Sequence, residues 1–417
     1  MSKNIKISLT PVDEALATLL GQATELNNHE TLSLIDAQGR ILAEDKKALI
    51  FQPPVDNSAM DGYAVNTQDV SSNQPFTLLP IQQRIAAGDA AQALVPGTAA
   101  RIFTGAMVPA GADAVVMQEQ CEEHEGGVGI PQGIKISQNI RFKGEDFKEG
   151  QTLISKGSLL RPMELGLLAA MGFSKVCVSR PLKVMVLSTG DELVEPGESL
   201  STGQIYNSNR YTLAGLLKAM GCEYLDGGII EDDFDITKQR LLSAAQQADV
   251  VITSGGVSVG EEDHVKNALE EIGQLTLWKL AIKPGKPLAY GEIHNADLKT
   301  PFFGLPGNPA AVLVTFAILV RPYLLKMLGA TELAPSMVVG KAGFERTKPS
   351  IRREYLRARL EVDDANVSVI TTYPSQSSGM LRSASWANGF AIVDANQTVA
   401  AGDLLSFIPF QALTGSH

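Results

Sequence analysis

The sequence predicts a multidomain α/β-plus-β protein. It has an αβα layer with a mainly parallel sheet, a β-rich module inserted toward the N-terminus, and a C-terminal β-barrel-like domain. Three observations carry this reading. At 417 residues the chain exceeds one ordinary core and predicts two to four domains. From about 180 to 328, short apolar runs alternate with helix-period segments, the pattern of a parallel sheet covered on both faces. On either side, from 55 to about 145 and from about 332 to 417, short strands and glycine turns recur without helical periodicity.

In chain order, residues 12–26 have helical spacing, with Leu16, Leu19 and Leu20 on one side. Residues 32–43 read as a strand, a tight turn at Gln38-Gly39-Arg40 and a resumed extended segment. Pro53-Pro54 then breaks the chain. Inside the β-rich module, residues 128–136, surrounded by glycines, read as a hairpin tip. The αβ block begins with a strand at 182–188. A helix at 208–220 stops at Gly221, and an element at 223–230 precedes a helix at 236–247. A strand at 250–253 leads to a helix at 265–272, and strands follow near 275–281, 288–290 and 301–303. A long helix starts after Asn308-Pro309, with Asn at the N-cap and Pro at the first position. Its apolar stretch, 310–320, is too short to span a bilayer and reads as core. The last block offers strands at 355–362, 367–372, 389–393 and 404–409.

Apolar content of 44% and charged content of 19% fit a soluble, well-packed protein. A formal charge of -11 argues against broad binding to nucleic acid or anionic membranes. A local lysine cluster can still serve an anionic small ligand. The three cysteines, Cys121, Cys177 and Cys222, are widely spaced and odd in number, which suits a reducing compartment. The start Met1-Ser2-Lys3-Asn4 has no signal-peptide apolar region, so the expected location is cytoplasmic.

Three strand-to-helix corners concentrate the chemistry: Ser188-Thr189-Gly190-Asp191-Glu192, the segment 253–263 with Ser254-Gly255-Gly256, and Gly304-Leu305-Pro306-Gly307-Asn308-Pro309. In a parallel sheet such corners share one edge, where ligands bind. Glycine exposes backbone N–H groups that suit a phosphate. The acids at these corners repel a phosphate directly but can hold a bridging divalent cation, Mg2+ being the best fit. Glu192 and Asp263 are the best-placed ligands. Asp263 also sits at a predicted helix start, where capping is the plainer role. Asp232 follows the 223–230 element to the same edge, although an acidic run such as Glu231-Asp232-Asp233 is more often a solvated loop. Lys279, Lys283 and Lys286, set among Pro284, Gly285 and Pro287, form a compact cationic edge for an oxyanion, or else a solvated strand edge. In the β-rich module, Asp61, Thr104 and Asp146 lie in polar turns whose plainer reading is Asx-type capping. Histidine spacing gives no zinc site.

Taken together and in order, Ser58-Ala59-Met60-Asp61-Gly62-Tyr63-Ala64, Thr104-Gly105, Gly111-Ala112-Asp113-Ala114-Val115-Val116, Gly144-Glu145-Asp146, Ser188-Thr189-Gly190-Asp191-Glu192-Leu193, Ser254-Gly255-Gly256-Val257-Ser258, Lys283-Pro284-Gly285-Lys286-Pro287 and Gly304-Leu305-Pro306-Gly307-Asn308-Pro309 resemble the MoeA family, which includes the E domain of gephyrin and its plant counterpart. The resemblance covers nearly the whole chain. It implies a molybdopterin-binding αβα domain and a Mg2+-dependent reaction of adenylylated molybdopterin with molybdate, releasing AMP. It implies catalytic roles for Asp61, Thr104, Asp146, Glu192, Asp232 and Asp263, with Glu192 and Asp263 as metal ligands. Ligand binding would fall to Ser188, Thr189, Gly190, Ser254, Gly255, Gly256, Lys279, Lys283, Lys286, Pro306, Gly307, Asn308 and Pro309. Ser377 to Leu381, with Arg352, Arg353 or Arg357, would contribute to oxyanion binding.

The resemblance also implies an arrangement of domains. A helix at 1–26 packs on the αβ domain. A linking domain is formed by 27–52 and 147–178, a small β-rich domain by 53–146, the αβα domain by 179–329, and the barrel by 330–417. It further implies a homodimer whose β-rich domain faces the αβ domain of the other subunit, and a molybdopterin adenylyltransferase as partner. Two other readings share parts of the pattern: a non-catalytic gephyrin-like scaffold, and a molybdopterin adenylyltransferase built on the 180–328 block. The acidic set disfavours the first, and the flanking β-rich modules disfavour the second.

Overall fold

A computed structural model describes residues 9–256, 264–296 and 298–414. The chain forms two compact units. The first comprises residues up to Glu44, Lys156–Leu165 and Lys175 onward; the second comprises Asp45–Ser155 and Gly166–Ser174. The residues of the expected linking domain are divided between them.

The second unit is built on a four-stranded sheet of order Ile81–Ile85, Ala99–Ile102, Gly62–Val65 and Ala114–Met117. Its side chains alternate between two cores. Tyr63, Val65, Ala114 and Val116 enter one, while Ala64, Ala100, Ile102 and Val115 enter the other. Both faces are therefore buried, which explains a run such as Ala114-Val115-Val116 with no polar residue in it. A three-stranded sheet has Gly127–Pro131 at its centre, between Phe76–Leu79 and Glu122–His124. This corrects the hairpin tip expected at 128–136: Val128 and Ile130 are fully buried, and the turn lies earlier, before Gly127. The glycines there allow close strand packing rather than a loop.

In the first unit, the αβ layer contains a six-stranded sheet. Its order is Glu223–Ile230, Lys183–Thr189, Val250–Ser254, Leu298–Leu305, Pro287–Asn295 and Gly273–Lys279. The first four strands are parallel; Pro287–Asn295 runs antiparallel to them and pairs antiparallel with Gly273–Lys279 on its other side. Val184 and Val186 face one core and Met185 and Leu187 the other. The first core is closed by helices Val12–Gln22, Ser208–Ala219 and the continuous helical stretch from Pro309 to Met327. The second is closed by Phe234–Gln247 and His264–Ile272. The Pro309–Met327 stretch is long and apolar enough to span a membrane, yet it is 83% buried and packs as core.

Near the N-terminus of this unit, His29–Ser33 pairs with Lys175–Ser179. The strand ends earlier than the pattern at 32–43 suggested, because turns begin at Leu34 and Gly39 takes φ +75°. The C-terminal strands close into a five-stranded barrel. Arg353–Val362 pairs with Ser368–Thr372 and with Gly389–Val393, and Val338–Ala342 and Leu404–Pro409 complete the ring. Ile282–Lys283 adds in parallel beside Arg353-Glu354, tying the barrel to the αβ layer.

Candidate functional site

The four parallel strands end on one edge, and a cleft of about 1070 Å³ opens there. Thr189, Gly190, Asp191 and Glu192 line it from the first corner, Ser254, Gly255 and Gly256 from the second, and Pro306 to Pro309 from the third. Asp232 reaches it from the end of Glu223–Ile230, and Lys286 from the loop before Pro287–Asn295. The barrel contributes Arg352, Ser378, Gly379 and Leu381. The sequence had indicated the three corners separately; the sheet order sets them side by side.

Several expected residues are placed otherwise. Ser188 is 1% exposed and lies below the cleft surface, its hydroxyl accepting from Asn207 Nδ2 at 3.0 Å. Lys279 and Lys283 are not among the residues lining the cleft. The Lys283 ammonium sits 2.6 Å from Glu354, a carboxylate buried in the barrel that Arg346 also engages at 2.7 Å. Burial alone raises the pKa of Glu354. The hydrogen bonds from Lys283 and Arg346 outweigh that, and the net shift is downward. Lys286, which lines the cleft, forms no ion pair among the described residues. The three lysines therefore do not line the cleft together.

The glycine pair has a packing role that the motif alone did not reveal. Gly255 and Gly256 take φ +93° and +63°, and added Cβ atoms would lie 2.6 Å from Thr189 O and 2.7 Å from Thr189 Oγ1. Only glycine lets the second corner approach the first this closely. Two backbone donors at these corners are also occupied. Gly255 N–H donates to Leu305 O at 3.0 Å, and Ala310 N–H, in the first turn of the long helix, donates to Ser378 O at 3.0 Å. Asn308 is the N-cap of that helix by position, but its side chain makes no capping bond.

Asp61, Thr104 and Asp146 belong to the second unit. There the Asp61 carboxylate accepts from Thr104 Oγ1 and from Thr104 N–H, both at 2.7 Å. Those bonds, the side-chain one foremost, hold its pKa below the usual aspartate value. Asp263 lies outside the described residues.

The electrostatics of the cleft are mixed. Among the described lining residues, the carboxylates of Asp191, Glu192, Glu231 and Asp232 face only Lys286 and Arg352 as permanent cations. His264 stands 3.7 Å from Asp232. Of the three expected arginines, Arg352 lines the cleft. Arg353 pairs with Asp13 and Asp394. Arg357 is fully buried and donates to Ser377 O and Ser383 Oγ, so it supports the loop from below. Burial pulls its pKa down to about 10, which leaves the guanidinium charged at neutrality.

Sequence reasoning missed the first turn of helix Ser208–Ala219. Asn207 caps it by accepting from Arg210 N–H. Asn209 donates through Nδ2 to Gly307 O at 2.7 Å. An asparagine just before a predicted helix start was the available signal.

An open, mainly parallel sheet with its cleft at the strand C-termini defines an αβα ligand-binding protein, here carrying a β-rich unit and a barrel. Comparison with known families makes this specific. Residues 10–172 match the MoeA N-terminal region (domains I and II), residues 185–326 a probable molybdopterin-binding domain, and residues 339–410 the MoeA C-terminal region (domain IV). A molybdopterin molybdenumtransferase of Haemophilus influenzae is 40% identical over 97% of this chain and 99% of its own length. Its counterpart in a Nostoc species is 36% identical, covering 90% of this chain and 87% of that one. A molybdopterin biosynthesis MoeA protein of Pyrococcus horikoshii superposes with a TM-score of 0.83 at 29% identity, covering 96% of this chain and all of that one. Another structure of a MoeA protein from that genus gives 0.75 at 32% identity, covering 97% and 99%. The chain belongs to the MoeA family.

Proposed function

We propose that the protein is a molybdenum insertase, a transferase of molybdenum cofactor biosynthesis. It takes adenylylated molybdopterin and molybdate, delivers molybdenum to the dithiolene and releases AMP. Membership of a family whose relatives are named molybdopterin molybdenumtransferase supports the overall activity. The observation that carries the mechanistic reading is the acidic cleft at the parallel strand ends. A phosphoanhydride entering it meets four carboxylates against two cations, a repulsion that a bridging divalent cation offsets.

Mg2+ fits the residues present. It is bound through one or two carboxylates, with water and phosphate oxygens completing its shell, and needs no dedicated all-protein cage. Glu192 lines the cleft with no ion pair among the described residues, and no cluster of three or more metal-type ligands occurs among them. Glu192 and Asp263 would hold the ion, with Asp232 beside it. When bound, Mg2+ offsets phosphoryl charge and polarises the phosphoryl oxygens.

The chain's own groups position the substrates. Lys286 and Arg352 offer charge-assisted hydrogen bonds to phosphate or molybdate oxygens. The Ser378-Gly379 loop, held from below by Arg357, shapes the barrel side. Of the sequence-derived set, Thr189, Gly190, Ser254, Gly255, Gly256, Lys286 and Pro306 to Pro309 are assigned to the ligand. Lys283, held by Glu354, supports the loop that carries Lys286. We also assign a homodimer in which Asp61, Thr104 and Asp146 serve the cleft of the other subunit, a cytoplasmic location, and a molybdopterin adenylyltransferase as supplier of substrate. The linking, β-rich, αβα and barrel boundaries given above are kept as the proposed division of the family architecture.

The test is AMP release from adenylylated molybdopterin, followed with and without molybdate and Mg2+. The expected result is release that needs Mg2+ and is lost in Glu192→Gln, which keeps shape and removes charge. AMP release by Glu192→Gln at the wild-type rate at every Mg2+ concentration would overturn the metal assignment. Absence of release by the wild-type protein with all components present would overturn the insertase reading.

A further inference from the structure

The first turn of helix Ser208–Ala219 touches two corners of the cleft through side chains that no corner motif contains. Asn207 is 1% exposed; its Nδ2 donates to Ser188 Oγ at 3.0 Å and to Glu195 Oε1 at 3.3 Å, while its Oδ1 caps the helix. Asn209, two residues on and 9% exposed, donates to Gly307 O at 2.7 Å. Arg210 pairs with Glu195 at 2.6 Å and with Asp226. One short turn thus grips the first corner through Asn207 and the third through Asn209.

The chemistry fixes how Asn209 is oriented. A backbone carbonyl only accepts, so the amide NH2 must face Gly307. The other end, Oδ1, is buried without a hydrogen-bond partner among the described residues. A buried unsatisfied acceptor is unfavourable, and an apolar side chain would fill the same space without it. Packing alone therefore gives no reason for an asparagine here. Its bond to Gly307 does. Two other bonds hold neighbouring parts of that corner, Gly255 N–H to Leu305 O and Ala310 N–H to Ser378 O. Between them, residues 306–309 project into the cleft.

We propose that Asn209 is a positioning residue: its amide sets where the Pro306-Gly307-Asn308-Pro309 corner stands relative to the Glu192 corner, and so sets the spacing the pterin ligand meets. This rests on the insertase reading and deepens it. Replacing Asn209 by Ala frees the corner without adding charge. Replacing it by Asp keeps the shape but sets a carboxylate against a carbonyl oxygen, and only the protonated acid can donate to Gly307 O.

The experiment is calorimetric titration of the full-length wild-type, Asn209→Ala and Asn209→Asp proteins with molybdopterin, each across a pH series, with thermal unfolding in parallel. Asn388→Ala, which removes barrel hydrogen bonds away from the cleft, is the control. The expected result is roughly tenfold weaker binding for Asn209→Ala with the control unchanged. For Asn209→Asp, the deficit relative to wild type should shrink as the pH falls through the range of the introduced carboxyl. A residue that only stabilised the fold would lower the unfolding temperature and leave that pH-dependent ratio flat. Wild-type binding with both Asn209 variants equal to it overturns the positioning role. A flat ratio for Asn209→Asp overturns it as well. Failure of the wild-type protein itself to bind molybdopterin overturns the functional reading on which it rests.

Discussion

At the scale of single residues, the lysines show how partners decide function. Lys283 and Lys286 are three positions apart, yet one is held by a buried carboxylate and the other faces the cleft. We predict that Lys286→Ala weakens molybdopterin binding by about 10- to 150-fold, the loss of one charge-assisted hydrogen bond of about 1.5–3 kcal/mol. Rising salt should shrink that loss. Lys283→Ala should instead lower stability, by about 1–2 kcal/mol once the solvent exposure of the ammonium is allowed for. Titration calorimetry and chemical denaturation of both variants separate the two effects, and equal affinities in the two would sink the division of roles. Lys341, exposed on the barrel, is a suitable control. Lys326 is not, although it lies on the long helix away from the corner, because its ammonium bonds the carbonyl of Leu20 and ties that helix to Val12–Gln22.

Glu354 gives a pH prediction of definite sign. Its folded pKa is below the ordinary glutamate value of 4.5. Its contribution is therefore fully present above about pH 4.5 and is lost as the pH falls through the lower, folded value. Acid unfolding followed by circular dichroism should show wild type losing more stability than Glu354→Gln in that window. Parallel curves would remove Glu354 from the acid-labile set.

At the scale of elements, the corners depend on how closely their backbones approach. Gly256→Ala forces a Cβ into a left-handed backbone, 2.7 Å from Thr189 Oγ1 and 2.8 Å from Val265 Cγ2. We predict a loss of about 1–3 kcal/mol in denaturant unfolding. Pterin binding should weaken with it, because the second corner must move. Unchanged unfolding and binding would show that the approach is looser than described. The strands themselves need no such precision. Val184, Val186, Val250 and Ile252 feed one core, and Met185, Leu187 and Val251 the other. This two-faced burial is why these runs carry little polar–apolar alternation.

At the scale of the molecule, the proposed homodimer makes a prediction that no single chain can satisfy. If Asp61 serves the other subunit's cleft, mixing inactive Asp61→Ala with inactive Glu192→Gln should restore part of the activity. A heterodimer places both lesions at one cleft and leaves the other intact. Persistent inactivity, after mass spectrometry has verified subunit exchange, would count against a shared site.

Local patterns were enough to read the αβα layer, the two β-rich regions and the three corners. Strand period, helix period and glycine or proline punctuation are short-range properties, and each is written within a dozen residues. Glu192, Gly255 and Asn308 were visible for the same reason, since each stands at a punctuated strand end. What remained hidden depends on residues far apart in sequence. That Glu354 captures Lys283, that Asn209 holds Gly307, that Ser378 occupies the N–H of Ala310, and that Val128 and Ile130 form a strand at the centre of a core are all contacts across long loops. No local propensity encodes which distant partner will saturate a given donor or carboxylate. Sheet order and barrel closure decide it, by choosing which chain segments come within 3 Å of one another.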